Sequence, residues 1–316
     1  MRTKLAALAA VATALTMGLS GCGSSSSEES SSSSSADGGT IASQMIFGGP
    51  PEFKTRVDGI PGLKENYGVE FGKYTVTDVG GPVTVSALKR GQIDAADLFT
   101  TDPAIESNDF VILEDPKSNF AAQNIVPIIN KEKGTDGVKT VLNGVQAKLT
   151  TDGVGSLIGE VTNDKADPAD VAKGWLSDND LDATGSSAKG VSLTVGSANF
   201  PENVILAEIY AGALEAQGAT VTKKLNIGSR EKYYPALESG SLDLFPEYTG
   251  TILRFIAEDS TETSPDDVYA ALVKALPDNL VAFDQAEAQD SDAIVVTKET
   301  AEKFNLKTIA DLAKKA

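Results

Sequence analysis

The hydrophobic pattern of the chain alternates between short β-branched runs and longer segments of helical periodicity. These apolar segments span residues 74–79, 83–89, 93–99, 138–149, 191–195, 204–217 and 221–227. Strands that alternate with helices in this way predict an α/β fold. Residues 182–190 are rich in Gly, Ser and Ala, which predicts a linker between two such blocks.

The two blocks contain an internal repeat. Residues 87–94 (ALKRGQID) parallel residues 236–243 (ALESGSLD) at an offset of 149 residues. Each copy predicts a helix that ends at a left-handed glycine and is followed at once by a strand. Phe99 and Tyr248 stand five residues after the two aspartates, and Thr100 follows Phe99. Because ligands of open α/β sheets bind at the carboxyl ends of strands, we expect the two rings to face each other across a cleft. The alternative is that both rings belong to the core.

The N-terminal residues predict export and lipid attachment. Residues 1–21 combine a basic start with an apolar run that is too short for a secure membrane span, and they predict a signal peptide. The run ends in Leu-Ser-Gly before Cys22, the only cysteine, which is the expected lipidation site on the outer face of the membrane. Residues 22–40 are Ser-rich and predict a disordered tether. The remaining chain of about 275 residues is long enough for two lobes.

Charge and composition exclude several classes of function. The net charge of −18 argues against nucleic acid as a partner. The absence of histidine and the single cysteine argue against the common metal sites and against Ser-His and Cys-His catalysis. We therefore expect no cofactor, no metal and no enzymatic activity. Two rival hypotheses remain: a secreted enzyme that uses paired carboxylates such as Asp94 and Asp97, and an adhesion or scaffold lipoprotein.

Several motifs resemble the glycine betaine/choline/carnitine-binding proteins, the receptors of osmoprotectant ABC importers. The motifs similar to the N-terminal half of that family are Gly196–Asn203, Gly228–Leu237 and Pro246–Thr251. Those similar to its C-terminal half are Gly59–Leu63 with Tyr67-Gly68, Phe99–Asp102 and Val111–Asp115. The resemblance extends from about residue 45 to residue 316. The two halves stand in the reverse of the family order, so the chain resembles a circularly permuted member.

The resemblance implies a two-lobed periplasmic-binding-protein fold of type II, with crossover strands that form a hinge. We expect lobe A to comprise residues 41–104 plus 291–316 and lobe B to comprise residues 105–290. Permutation is tolerated where chain ends lie close together on the surface. It therefore predicts that Ile41 and Ala316 are near each other on one lobe.

The family binds quaternary ammonium groups in a box of aromatic rings, because such a cation has no N–H to donate and is held by ring faces. By resemblance, Tyr248 keeps one wall of the box and Phe99 replaces a second wall without the hydroxyl. Gln123 and Asp292 stand where two further rings are expected. These polar groups favour a ligand with hydrogen-bond donors; otherwise they are rim residues.

Five more residues are assigned to the ligand site. Thr251 offers a hydroxyl contact, and Asn203 stands where relatives have Gln. Arg56 either clamps a ligand carboxylate bidentately or forms an ion pair between strands. Asp290 either positions the crossover segment or faces the cleft. Thr100 is included because it directly follows Phe99 in the repeat. By contrast, Tyr233, Tyr234 and Trp175 are assigned to packing.

Together these features predict a monomeric, lipid-anchored, extracytoplasmic receptor that delivers a small molecule to an ABC permease and its ATPase. The expected ligand is an osmoprotectant-like compound of the glycine betaine, choline or carnitine class. The alternative within the same class of receptor is a different polar or cationic metabolite. In either case the lobes would close about the ligand by a hinge motion.

Overall fold

Two five-stranded sheets carry the fold of residues 39–316, the part of the chain that this computed structural model describes. The predicted signal peptide, Cys22 and most of the predicted tether lie outside the described residues. The strands are β1 (Ile46–Gly49), β2 (Lys73–Val76), β3 (Ala95–Phe99), β4 (Val111–Ile112), β5 (Ile125–Asn130), β6 (Ser192–Gly196), β7 (Thr220–Lys224), β8 (Leu244–Tyr248), β9 (Leu280–Ala282) and β10 (Asp292–Val296).

Helices connect the strands on both faces of the sheets. They are α1 (Ile60–Tyr67), α2 (Pro82–Lys89), α3 (Pro103–Ser107), α4 (Asp136–Gln146), α5 (Thr151–Thr162), α6 (Pro168–Asp178), α7 (Pro201–Ala216), α8 (Arg230–Glu238), α9 (Thr249–Ile256), α10 (Pro265–Ala275) and α11 (Lys298–Phe304). Short 3-10 helices span Ala42–Gln44, Pro51–Lys54 and Ile309–Ala313. Among residues 39–316, no helix combines the length and apolar character needed to cross a membrane.

The two sheets have the same topology, which confirms a two-lobed α/β architecture. Lobe A contains the sheet β2-β1-β3-β10-β4, and lobe B contains the sheet β7-β6-β8-β5-β9. In each sheet the first three strands are parallel, and one strand that arrives from the other lobe pairs antiparallel with its neighbours. The chain therefore crosses between the lobes twice, before β5 and before β10.

The sequence repeat has a structural basis in this shared topology. Gly91 and Gly240 end α2 and α8 with φ of +66° and +73°, as the repeat predicts. Asp94 then links β3 to β1, because its N–H donates to the Ile46 carbonyl at 2.8 Å and its Oδ2 accepts from the Ile46 N–H at 2.7 Å. Asp243 makes the same two bonds to Thr194, at 2.8 and 2.7 Å. Both aspartates thus fix strand pairing.

The boundary between the lobes lies later than residue 105. Strand β4 belongs to lobe A, because Val111 and Ile112 pair with β10. The Leu113 N–H also donates to the Ile294 carbonyl at 2.9 Å. The two crossover segments meet where Asn124 forms an antiparallel bridge with Gln289. The predicted start of lobe B at residue 105 is therefore wrong, and the change of lobe falls between β4 and β5.

The ends of the described chain are adjacent in lobe A, as predicted. Thr40 forms an antiparallel bridge with Lys315, and the Ile41 N–H donates to the Lys314 carbonyl at 2.8 Å. The Ala316 N–H donates to the Gly39 carbonyl at 3.1 Å. Residues 39 and 40, which the sequence places in the tether, are therefore part of the folded lobe.

The core of lobe B is built around α7. Helices α4, α5 and α6 pack around it, and Ile209, Tyr210 and Leu214 are fully buried. Residues 182–190 connect α6 to β6 inside this lobe and pack against it, since Ala188 is buried and the Gln217 side chain donates to the Ala183 carbonyl at 2.9 Å. Because α7 packs against these three helices, the core of lobe B sets the position of its N-terminus at the cleft.

Candidate functional site

A cavity of about 500 Å³ lies between the lobes, beyond the carboxyl ends of β3 and β8. Both lobes contribute to its wall, as expected for strand ends that face each other. Six of the nine predicted ligand residues line it: Arg56, Phe99, Tyr248, Thr251, Asp290 and Asp292. The volume falls in the range of small-molecule sites, about 300–1,000 Å³.

Three aromatic rings run in sequence across the cleft. The Phe99 ring of lobe A lies 5.3 Å from the Phe200 ring of lobe B, centroid to centroid, and Phe200 lies 6.0 Å from Tyr248. Phe200 therefore stands between the two rings that the repeat placed at the cleft. Sequence reasoning gave Phe200 no role, although it directly precedes Pro201, the first residue of α7, and this position fixes it at the cleft.

On the lobe A side, Arg56 is held by carboxylates. Its Nε lies 2.5 Å from Asp58 Oδ1, and its Nη2 lies 2.7 Å from Asp292 Oδ2. Burial alone would lower the pKa of Arg56, but Asp292 and Asp58 hold that pKa above its usual value. Burial, and then the charge of Asp292, raise the pKa of the neighbouring Asp97 well above its usual value. Of the two roles predicted for Arg56, the structure shows the ion pair.

On the lobe B side, a second arginine is held in the same way. Arg230 donates to Glu247 from Nε at 3.0 Å and from Nη2 at 2.8 Å, which is a bidentate pair with a fully buried carboxylate. Tyr233 donates to the same carboxylate at 2.7 Å. Both Arg230 and Tyr233 line the cavity. Tyr233 was assigned to packing alone, so its place in the cavity wall corrects that assignment.

Asp290 combines both predicted roles. It lines the cavity, and its Oδ1 accepts from the Thr101 hydroxyl at 2.8 Å, which fixes the crossover segment against lobe A. The same hydroxyl lies 2.8 Å from Glu202 Oε2, and Glu202 Oε1 accepts from the Tyr248 hydroxyl at 2.6 Å. The Tyr248 hydroxyl is thus engaged within the protein, and its ring is what it offers to the cavity.

Three predicted residues lie outside the cavity wall. Gln123 is buried, and its Oε1 accepts from the backbone and the hydroxyl of Thr251, at 3.0 and 2.9 Å. Thr100 is exposed, and its Oγ1 accepts from the Ser291 N–H at 3.0 Å. Gln123 Oε1 and Thr100 Oγ1 thus form hydrogen bonds within the protein that join the crossover segments to the lobes.

Asn203 is the third residue outside the wall, and its neighbours explain its position. Its Oδ1 accepts from the Ala198 N–H at 2.7 Å, and its Nδ2 donates to the Pro246 carbonyl at 2.8 Å. Pro246 has no N–H and interrupts the ladder of β8. Asn203 therefore bridges the ends of β6 and β8 where backbone pairing stops.

The charge balance of the cavity favours a cation. Five acidic side chains line it (Glu52, Glu231, Glu258, Asp290 and Asp292), against three basic ones (Arg56, Arg230 and Arg254). Two of the three arginines are already paired with carboxylates. Among residues 39–316, no group of three His, Cys, Asp or Glu side chains is placed to hold a metal ion. The arrangement suits an organic cation held by ring faces and nearby carboxylates.

Comparison with known proteins matches almost all of the chain to one family. The model of the substrate binding domain of ABC-type glycine betaine transport systems matches residues 29–178 and 191–316. The curated relatives are binding proteins, and the chain spans about two fifths to one half of their length.

Two relatives and one solved structure illustrate the similarity. Over 124 residues the chain is 30% identical to the glycine betaine-binding protein YehZ of Escherichia coli, which covers 38% of this chain and 41% of that protein. Over 152 residues it is 26% identical to a glycine-betaine-binding protein of Pseudomonas aeruginosa, covering 48% and 49% of the two chains. A Streptococcus pneumoniae ABC uptake transporter substrate binding protein with bound histidine overlays at a TM-score of 0.42 and 10% identity, covering 86% and 84%. At that score the overlay carries no weight, so the fold rests on the two sheets and the family match.

Proposed function

Because the chain belongs to the family of substrate binding domains of ABC-type glycine betaine transport systems, we propose that it captures a small quaternary ammonium compound between its lobes. The ligand class that we propose is glycine betaine, choline or carnitine. The single observation that carries this proposal is the row of Phe99, Phe200 and Tyr248 across the cleft, in one cavity with Asp290 and Asp292.

The chemistry of the cavity supports this ligand class. A trimethylammonium group is attracted to ring faces, each worth about 0.5–2 kcal/mol, and needs no hydrogen-bond acceptor. The carboxylate of Asp292 is satisfied by Arg56, and Gln123 faces Thr251 instead of the cavity. Asp292 and Gln123 stand where the family resemblance predicts aromatic rings. The rings of Phe99, Phe200 and Tyr248 nevertheless remain the main contact surface for the ligand.

Isothermal titration of the purified protein with glycine betaine, choline and carnitine tests the proposal. We expect micromolar dissociation constants for at least one of them, and no binding of an uncharged polyol of similar size. Failure of all three to bind, with the protein folded as judged by circular dichroism, would contradict the proposed ligand class.

A second candidate is a polar or cationic metabolite whose N–H groups bind Asp292 or Asp290. The observation in its favour is that five carboxylates line the cavity. Arginine and a quaternary ammonium compound, titrated against the protein and its Asp292→Asn variant, separate the two candidates. Micromolar glycine betaine binding that survives Asp292→Asn would defeat the N–H ligand.

The cellular context is also a proposal. The lipoprotein-like sequence before Cys22 supports attachment to the extracytoplasmic face of the membrane, as a monomer that docks on an ABC permease and its ATPase. Metabolic labelling of the expressed protein with a fatty acid tests the anchor, and Cys22→Ala is expected to release the protein from the membrane fraction.

Circular permutation of the family order is supported by two observations. The ends of the described chain are joined by backbone hydrogen bonds in lobe A. The family match is interrupted between residues 178 and 191, which overlaps the connection at residues 182–190. We propose that this connection joins the two halves that stand in the opposite order in relatives.

A further inference from the structure

A buried group of two carboxyls and two hydroxyls lies where the lobes meet, next to the hinge. Glu202 comes from α7 of lobe B, Tyr248 from β8, Thr101 from lobe A just after β3, and Asp290 from the second crossover. All four are buried, with exposed fractions between 3% and 7%. The Thr101–Glu202 bond therefore connects one lobe directly to the other.

The hydrogen bonds of this group require a proton that the side chains lack when both carboxyls are ionised. Thr101 Oγ1 lies 2.8 Å from Glu202 Oε2 and 2.8 Å from Asp290 Oδ1, but a hydroxyl has only one proton to donate. The Tyr248 proton is used toward Glu202 Oε1 at 2.6 Å. One of the two short contacts of Thr101 would then join two oxygens with no hydrogen between them.

A single added proton completes the network. The Thr101 N–H also points to Asp290 Oδ1, at 3.3 Å, so this oxygen is the acceptor of both Thr101 donors. The added proton is shared by the carboxyls of Glu202 and Asp290. When it lies on Glu202, Oε2–H donates to Thr101 Oγ1, and Thr101 donates onward to Asp290. Every short contact then has one donor and one acceptor.

We propose that Glu202, Thr101 and Asp290 form a binding site for one proton that fastens the two lobes together, so that closure of this receptor is coupled to pH. When Glu202 loses the proton, two carboxylates face one hydroxyl in a buried site, and the interlobe contact is lost. When the lobes separate, water can solvate Glu202 and its charge is tolerated.

The surrounding charges favour the protonated pair. Within residues 39–316, neither carboxyl forms an ion pair. Asp292 adds a further negative charge near Asp290, although Arg56 is bound to it. Lys165 and Asp102 line the 130 Å³ pocket next to Glu202, but the Lys165 ammonium donates to the Thr162 carbonyl at 2.6 Å. Burial raises the pKa of Glu202 to about 7 and raises the pKa of Asp290 well above its ordinary value.

The sign of the pH effect follows from these directions. A carboxyl with a raised pKa in the closed protein binds more protons than it does when solvated, so protonation favours the closed and folded form. This stabilisation of the closed form is complete below the ordinary glutamate pKa of 4.5. It is lost as the pH rises to about 7, the raised pKa of Glu202. One coupled proton changes the closing equilibrium by at most about tenfold per pH unit in this window.

The first experiment uses ligand-free protein and does not depend on the proposed function. We compare the wild type with Glu202→Gln, which is isosteric and imitates the protonated acid, and with Glu215→Gln, the same substitution at an exposed position of α7. In infrared difference spectra, wild type and Glu215→Gln should show the carbonyl band of a protonated acid that titrates near neutral pH. Glu202→Gln should lack this band, and its melting temperature should vary less with pH between about 4.5 and 7.

Two further variants keep the test independent of one substitution. Asp290→Asn removes the neighbouring charge, so the Glu202 band should titrate at lower pH. Thr101→Val removes the bridging hydroxyl and should weaken closure at all pH values, measured as a larger radius of gyration by small-angle X-ray scattering. A wild-type band that is absent, or that persists unchanged in Glu202→Gln, would overturn the proposal.

The second experiment rests on the proposed function and uses glycine betaine as the titrant. The dissociation constant should rise more than tenfold from about pH 5 to about pH 7 in the wild type, and less than threefold in Glu202→Gln. Equal pH dependence in the two proteins would overturn the coupling to closure. No binding at any pH would refute the glycine betaine ligand, while the infrared titration would still decide whether the proton site exists.

Discussion

Phe99 and Phe200 contact each other from opposite lobes, with ring centroids 5.3 Å apart and an interplanar angle of 34°. They are 101 residues apart in sequence, and each stands at the cleft end of its element, one at the end of β3 and one directly before α7. The contact extends the aromatic wall from lobe A to Tyr248 of lobe B. It also divides the 500 Å³ cavity from a smaller pocket of 130 Å³, because both rings line both spaces.

Replacement of Phe200 by Leu should weaken binding of a quaternary ammonium ligand by roughly 3- to 30-fold, because Leu keeps apolar volume but removes a ring face worth about 0.5–2 kcal/mol. Phe200→Tyr keeps the ring and should bind within about twofold of the wild type. Titration calorimetry with glycine betaine measures both. Equal affinity in the Leu and Tyr variants would show that Phe200 contributes only volume.

Replacement of Gly80 by Ala should displace Phe99. Gly80 has a φ of +56°, and a Cβ there would lie 2.7 Å from Phe99 Cδ2 and 2.9 Å from Cε2. We expect a loss of about 1 kcal/mol in unfolding free energy from the backbone strain, and a severalfold loss of ligand affinity because the ring moves.

Gly91→Ala is the matched control for this change. Gly91 has a similar φ of +66°, but a Cβ there would contact nothing within 4 Å. The variant should lose about the same stability in urea unfolding and keep full affinity. If both variants kept full affinity, the position of Phe99 would have no part in binding.

Removal of Arg56 should destabilise the protein more than removal of an exposed cation. Arg56→Met leaves the carboxylates of Asp58 and Asp292 buried without their partner, which we expect to cost about 3 kcal/mol in urea unfolding at neutral pH. The deficit should shrink at acidic pH, because the stranded carboxyl of Asp292 then takes up a proton. Adding Asp292→Asn to Arg56→Met should recover part of the loss.

Lys64→Met serves as the control, since the ion pair of Lys64 with Glu70 has side chains that are 62% and 66% exposed. Its loss should stay below about 1 kcal/mol. An Arg56→Met variant that is no less stable than Lys64→Met, but fails to bind ligand, would instead assign Arg56 to a ligand carboxylate.

Rearranging the chain into the order that we propose for its relatives should leave fold and affinity intact. A chain that starts at Ala183, joins Ala316 to Gly39 through a short Gly-Ser linker and ends at Asp182 keeps both sheets, because the joined ends are already hydrogen-bonded at 3.1 Å. Its melting temperature should lie within a few degrees of the original. A cut within the buried helix α7, between Leu206 and Ala207, should abolish folding, because it divides the core of lobe B.

Local signals in the sequence were sufficient to predict the repeat and the ends of two strands. A helix, a left-handed glycine and a strand follow one another within a few residues, so the pattern around Gly91 and Gly240 could be recognised without tertiary information. The ends of β3 and β8 then followed at Phe99 and Tyr248. The strand β5 was not recognised, since Pro127 interrupts its apolar run; in the structure Pro127 faces Pro246 of β8 across the ladder.

What the sequence by itself determined is therefore the architecture: two similar α/β blocks, their cleft-facing strand ends, and the family. Only the tertiary structure decided which side chains face the cavity. Asp292 meets Arg56, 236 residues away, because β10 pairs with β3, and Gln123 turns to Thr251 because α9 begins beside the crossover. Phe99 and Tyr248 stand at their predicted strand ends, but the ring between them comes from the start of α7. Strand and turn signals act over a few residues, whereas the direction of a polar side chain depends on the donors and acceptors that distant segments bring to it.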